Sequence, residues 1–169
     1  MPEITLRHEF ECDEDAYWDK CLFDLEFNTK LYLETLKFPH YEVLTDDNGT
    51  ERRIRKVRIE PQVGSLPGPV KKIIGDKLAY LEEGTFDKKT KRYTFTITPS
   101  ILPEKTKTGG ELFCEKLGDK RIARIAKIKV EVKVFAIGGM VEDKIIGDLK
   151  ASYDAAAKFT NEWVKTKGL

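Results

Sequence analysis

The chain has 169 residues, of which 40% are hydrophobic and 35% charged, and its formal net charge is +1. This length predicts a single domain, 1–169, and the balanced charge gives no sign of nucleic acid as a partner. No stretch approaches the roughly eighteen consecutive apolar residues of a membrane-spanning helix, and the first residues do not read as a secretory signal. We therefore expect a cytoplasmic protein, in which the three cysteines are reduced and mostly buried.

The chain begins with a predicted strand and two short helices. Apolar and polar residues alternate from Glu3 to Cys12, which is typical of a strand with one solvated face. Asp13 suits the N-cap of a helix at Ala16–Leu22. A second helix is expected at Asp24–Leu36, after a break near Phe23.

The middle of the chain alternates like an antiparallel sheet. Asp46-Asp47-Asn48-Gly49 is a strong turn signal, and polar turns at 87–91 and 118–119 separate further strands. Short turns between strands favour antiparallel pairing. The six strands predicted here are Phe38–Leu44, Glu51–Glu60, Leu78–Phe86, Arg92–Thr98, Thr106–Leu117 and Lys120–Phe135.

Two proline-bearing segments interrupt this sheet. Pro61–Pro69 holds three prolines and two glycines, and Val70–Ile74 is expected to form one helical turn that ends at Gly75. Ser100–Lys105 is the second interruption, predicted as a loop.

A long amphipathic helix is predicted at the end of the chain, from Val141 to Lys167. At 1.5 Å per residue it would be roughly 40 Å long, enough to cross a small sheet. Its apolar residues recur at steps of three and four. They are Val141, Ile145, Leu149, Tyr153, Ala156, Thr160 and Trp163. The order β-α-α-β6-α predicts an α+β fold, in which a curved antiparallel sheet of about seven strands wraps around this helix.

This order of elements resembles the helix-grip fold of the START-like (SRPBCC, Bet v 1-like) superfamily. The segment Leu66–Gly75, followed by Leu78–Glu83 and Phe86-Asp87, is similar to an uncharacterised bacterial, lipid-transfer-like branch. It is more distantly similar to PRELI-type phospholipid carriers. The resemblance implies a cavity between sheet and C-terminal helix that binds a lipid of the sterol, phospholipid or fatty acid type, although a fold by itself does not fix a function.

The candidate site follows from this expected cavity. The ligand-binding residues we predict are His8, Phe10, Arg58, Tyr80, Glu82, Tyr93, Phe95, Phe113, Arg124, Leu149, Tyr153 and Ala156. A sealed cavity must open, and the gate that we predict consists of Pro67, Gly68, Pro69, Val70, Ile73 and Ile74.

Three polar features have more than one interpretation. Glu82 either faces the cavity, where it would need Arg58 or Arg124 as a partner, or is solvated on the outer face. His8 is a core histidine with a hydrogen-bond partner, a ligand contact or a catalytic base. The basic run from Arg52 to Arg58 reads as a solvated strand, because no stacking aromatics are interleaved with it as in single-strand binders.

Basic residues also cluster at a hairpin tip, which is either solvated or a transient contact with an anionic membrane surface. They are Lys88, Lys89, Lys91 and Arg92, with Lys105 and Lys107 nearby. Aromatic residues including Phe86 and Phe135 are expected to point into the sheet's concave side.

No catalytic motif is present. The chain lacks a G-x-S-x-G elbow and a P-loop, and its two histidines exclude a three-histidine zinc site, so we predict no metal and no cofactor. The sequence predicts a protein that binds a lipid or another apolar small molecule and carries it. Two alternatives stay open: a cyclase- or hydratase-type enzyme that uses His8 with Glu82, and a protein-binding module like the chaperone-activating relatives of this fold.

Overall fold

The computed structural model describes residues 2–169 and places them in seven strands and four α-helices. Two helices continue into π-helical turns, at Trp18–Leu22 and Lys30–Thr35, and one 3-10 turn lies at Pro103–Lys105. The elements are β1 Glu3–Phe10, α1 Glu14–Tyr17, α2 Leu25–Thr29, β2 His40–Asn48, β3 Arg52–Glu60, α3 Gly68–Ile74, β4 Tyr80–Asp87, β5 Arg92–Pro99, β6 Thr106–Gly118, β7 Arg121–Val132 and α4 Gly138–Lys167.

All seven strands form one antiparallel sheet in the order β1-β7-β6-β5-β4-β3-β2. The first strand therefore pairs with the last, with Glu3 opposite Lys129 and Phe10 opposite Ile122. The other neighbours are joined by hairpins or short connections, apart from β3 and β4, which are separated by the segment that holds α3. This curved sheet with a long C-terminal helix confirms the predicted helix-grip fold.

The helical segments between β1 and β2 begin at two aspartate caps. Asp13 accepts a hydrogen bond from the backbone nitrogen of Ala16 at 2.7 Å, and Asp24 accepts one from that of Phe27 at 2.8 Å. Each cap satisfies a backbone donor that the first helical turn leaves free. The buried side of these segments packs into the core through Tyr17, Trp18, Phe27 and Leu31.

Helix α4 has 30 residues, about 45 Å at 1.5 Å per residue, and ends at Gly168 in the left-handed conformation. Its C-terminal half is anchored in the core by Trp163, whose indole nitrogen donates to the Lys20 carbonyl at 3.0 Å. The middle of the helix, around Leu149 and Tyr153, is only partly buried. The C-terminal end of α4 therefore packs against the core, and space remains between the middle of α4 and the sheet.

Several predicted boundaries and orientations were wrong. Strand β2 continues through Asn48, because the carboxylate of Asp46 is held by two bonds of 2.7 Å from Arg53 across the ladder, so the turn follows at 49–51. Strand β7 ends at Val132, and Phe135 is 99% exposed rather than inward.

Candidate functional site

The concave face of the sheet and the middle of α4 border a cavity of about 350 Å³. This volume is at the lower end of the range of small-molecule pockets, about 300–1,000 Å³. Most of the lining side chains are apolar or aromatic. The apolar ones include Leu22, Phe27, Leu31, Leu36, Phe38, Leu78, Phe95, Ile97, Leu112, Ile145, Leu149 and Ala156.

A smaller pocket of about 120 Å³ adjoins this cavity and shares seven lining residues with it, among them Pro61, Leu78 and Ile145. Its walls come from the segment after β3, the end of α3, the loop after β5, the end of β7 and the first half of α4. Of the six predicted gate residues, Ile73 and Ile74 line this pocket. The others do not line it; they are Pro67, Gly68, Pro69 and Val70, of which Val70 is fully buried in the core.

A buried ion pair lies on the sheet side of the cavity. Arg55 donates to Glu82 at 3.3 Å and to the Leu22 carbonyl at 2.7 Å, and the side chains of Arg55 and Glu82 are only 7% and 15% exposed. The hydroxyl of Tyr93 donates to the same carboxylate oxygen at 3.0 Å. The charge of Arg55 is therefore neutralised by a carboxylate that two side chains hold in place.

Gly84 makes this arrangement possible, because the Tyr93 side chain lies where a Cβ at position 84 would be. Any other residue there would push the phenol away from Glu82.

Burial raises the pKa of Tyr93, so its hydroxyl stays a proton donor at neutral pH. Tyr41, near this pair, has a buried hydroxyl without a hydrogen-bond partner among residues 2–169, and burial raises its pKa to about 12.

A second buried arginine, Arg124 on β7, also lines the cavity. It donates to the Tyr17 hydroxyl and to His8 Nδ1, both at 3.1 Å, and no carboxylate of the described chain lies within ion-pair distance of it. Because a guanidinium donates hydrogen bonds and cannot accept one, His8 Nδ1 is the acceptor. The ring proton is therefore on Nε2, which donates to Asp154 at 2.8 Å. The guanidinium also lies 5.0 Å from the ring centre of Tyr153.

The cavity brings together eight of the twelve predicted ligand-binding residues. These are Tyr80, Glu82, Tyr93, Phe95, Arg124, Leu149, Tyr153 and Ala156. His8 and Phe10 lie just behind the wall, where each contacts Arg124. Arg58 and Phe113 lie away from the cavity, on the opposite face of the sheet: Arg58 pairs with Glu60, and Phe113 packs under the cations of Arg92 and Lys127.

The polar lining residues that the sequence did not predict include Arg55, Tyr17 and Asp148. The run around Arg55 was predicted to be a solvated strand, but Arg55 is only 6% exposed because it shares the inward face with Val57 and Ile59. The apolar residues Val57 and Ile59 lie two and four positions after Arg55, and this spacing could have shown that Arg55 is on the inward face. Ile54 breaks the alternation, since it lies on the other face and is 47% exposed.

The fold is shared with solved structures of START-like proteins and cyclases. A START superfamily protein from Mycobacterium smegmatis is 14% identical and gives a TM-score of 0.62, with 96% of this chain and 98% of that chain covered. The Zhui aromatase/cyclase from Streptomyces sp. R1128 is 9% identical with a TM-score of 0.71, covering 99% and 96%. Norcoclaurine synthase from Thalictrum flavum is 17% identical with a TM-score of 0.62, covering 93% and 84%.

At these identities the likeness shows the START-like fold and does not carry an activity over to this chain. The comparison with curated proteins gave no significant match. Residues 5–164 match the family described as "Protein of unknown function (DUF2505)", so the chain belongs to that family, in agreement with the uncharacterised branch expected from the sequence.

Two further observations concern residues 2–169. No helix among them is both long and apolar enough to cross a membrane. Within the same residues, no group of three or more histidine, cysteine or acidic side chains could hold a metal ion. The three cysteines are free, and burial raises the pKa of Cys12 to about 11 and that of Cys21 to about 12.

Proposed function

We propose that this protein binds a hydrophobic or amphipathic small molecule, a lipid in the broad sense, in the cavity beneath α4 and carries it. The observation that supports this proposal is the cavity of about 350 Å³ with mostly apolar and aromatic walls. Burial of ligand surface against such walls contributes roughly 25 cal/mol per Å². The few polar groups, Glu82 and Arg124 among them, would fix the orientation of the ligand.

Carriage requires a path by which the ligand enters and leaves the cavity. The smaller pocket lies where irregular segments meet strand ends and α4, and Ile73 and Ile74 stand there at the end of α3. Loops and short helices of this kind move more easily than a hydrogen-bonded sheet. We infer that the ligand passes between this segment and α4.

A membrane contact during carriage would be favoured at the end of the molecule where Phe135 is almost fully exposed, close in sequence to Val132 and Val134 of the smaller pocket. The basic hairpin tip is a weaker candidate than the sequence implied. Lys91 there pairs with Asp15 at 2.9 Å, and Arg92 pairs with Glu111 at 3.1 Å.

The enzyme alternative loses the acid-base pair that the sequence offered. His8 is hydrogen-bonded to Arg124 and Asp154, whereas Glu82 is bonded to Arg55 and Tyr93, so each has other partners. A general acid and base must both reach the reacting atoms. We therefore keep ligand binding as the proposal.

The test is native mass spectrometry of the purified protein, combined with lipid extraction and uptake from vesicles. We expect a retained apolar molecule in the wild type and a loss of it in Ala156→Trp, because an indole at this lining position fills the cavity. Lys158→Trp, on the exposed face of the same helix, is the matched control and should bind as the wild type does. A wild type that neither retains nor takes up any apolar molecule would overturn the proposal.

A further inference from the structure

Arg124 is a buried cation that has no counter-ion among residues 2–169. Its two hydrogen-bond acceptors, the Tyr17 hydroxyl and His8 Nδ1, are uncharged atoms. A guanidinium has five N–H donors, and its Nε–H has no partner in the described chain. Burying a charge without an opposite charge is unfavourable, so this side chain would gain most from a bound anion.

In the part of the chain that the structure describes, no group near Arg124 supplies that negative charge. Asp154 lies beyond the His8 ring, on the other nitrogen, and is 74% exposed, so water screens its field. The rings of Phe10 and Tyr153 attract a cation through their π-electrons but carry no net charge.

The other charges along the cavity are already matched. Arg55 is paired with Glu82, and Asp148, at the rim shared with the smaller pocket, is paired with Lys144 at 2.9 Å. The cavity wall therefore carries one unmatched positive charge, at Arg124.

We propose that the ligand of this cavity is an apolar monocarboxylic acid whose carboxylate binds Arg124; this inference rests on the proposed function. A planar guanidinium matches a carboxylate in shape and hydrogen-bonding geometry. One unmatched cation suits one negative charge, whereas a phosphomonoester would bring a dianion to it. The apolar body of the acid would occupy the space between the sheet and Leu149 and Ala156.

The experiment compares cis-parinaric acid with its methyl ester, by the fluorescence increase on binding, for the wild type, Arg124→Gln, Arg124→Lys and Lys129→Gln. We expect the wild type to bind the acid about tenfold or more tightly than the ester, because a charge-assisted hydrogen bond is lost in the ester. Arg124→Gln should bind both probes with the affinity that the wild type has for the ester. Arg124→Lys should keep part of the wild type's preference for the acid over the ester. Lys129→Gln changes an exposed cation of the same strand and should match the wild type.

Equal binding of acid and ester by the wild type would overturn the assignment of a carboxylate while leaving the proposed function in place; this comparison does not depend on whether a variant folds. A preference for the acid that persists in folded Arg124→Gln would overturn the role of Arg124. If neither probe binds the wild type, and no apolar molecule is retained or taken up in the preceding test, both proposals fail.

Discussion

The cavity is bordered by two buried arginines whose environments differ. Arg55 on β3 is neutralised by Glu82 of the next strand, and Tyr93 holds that carboxylate from the far side. Arg124 on β7 is equally buried, at 5% against 6% exposure, but its hydrogen-bond acceptors are neutral. The Nε–H of each arginine lacks a partner in the described chain, so the two differ in one respect: Arg55 has a carboxylate as counter-ion and Arg124 does not.

Burial alone therefore does not show whether a charged side chain supports the fold or is available to bind a ligand. A paired buried charge becomes costly when its partner is removed, because the remaining charge is then isolated in a low-dielectric environment. An unpaired buried charge already destabilises the folded state. Its removal should therefore change the free energy of unfolding little and weaken ligand binding more.

The largest effect is expected from Glu82→Leu, which keeps the volume but isolates the Arg55 charge. We expect the free energy of unfolding to fall by about 3 kcal/mol, measured by urea denaturation. Glu83→Leu is the matched control on the outer face of β4. Its partner Lys56 is 43% exposed, so the loss should be below about 1 kcal/mol.

A double variant, Glu82→Leu with Arg55→Met, tests whether the isolated charge of Arg55 causes this loss of stability. If the isolated charge causes the loss, the double variant should regain about 2 kcal/mol relative to Glu82→Leu alone, since apolar side chains then replace both charges. A double variant that is less stable than either single variant would contradict this account of the pair.

A smaller effect is expected from Tyr93→Phe, which removes one hydrogen bond from Glu82 and leaves the contact with Arg55. We expect a loss of about 1 kcal/mol in the free energy of unfolding. Tyr41→Phe is the control, because the Tyr41 hydroxyl is buried without a partner in the described chain and its removal should be neutral or stabilising. Equal losses in the two variants would show that Tyr93 does not support Glu82.

The smallest effect on stability is expected from Arg124→Met. We expect a change of about 1 kcal/mol or less in either direction, because two hydrogen bonds to neutral groups are lost while an unmatched buried charge is removed. Thermal and urea unfolding without added ligand would measure it. A loss as large as that of Glu82→Leu would mean that Arg124 supports the fold in the same way as Arg55.

Much of the fold could be predicted because apolar residues recur at the spacing typical of strands and helices. The alternation from Glu3 onward, the turn residues between strands and the apolar stripe of α4 each depend only on residues near one another in the chain. Predictions failed where two signals competed: Asp46 to Asn48 have turn residues, but the ion pair of Asp46 with Arg53 keeps them in β2.

The candidate site was less predictable at β3. A strand exposes alternate residues, so an error of one position exchanges the two faces, and Ile54 supports the opposite phase from Val57. From the sequence, Arg58 and Arg124 were the candidate partners of a cavity-facing Glu82. The structure instead places Arg55 beside Glu82 and turns Arg58 outward to Glu60.

Local sequence patterns were enough to predict the order of strands and helices, the long terminal helix and the apolar side chains beneath it. Which arginine is neutralised depends on contacts between strands that are distant in the chain. His8 and Arg124 are direct neighbours across the β1–β7 pairing although 116 residues separate them, and no local pattern encodes that contact. Whether a buried charge meets an opposite charge depends on register between distant strands, and this pairing gave Arg124 a neutral imidazole instead of a carboxylate.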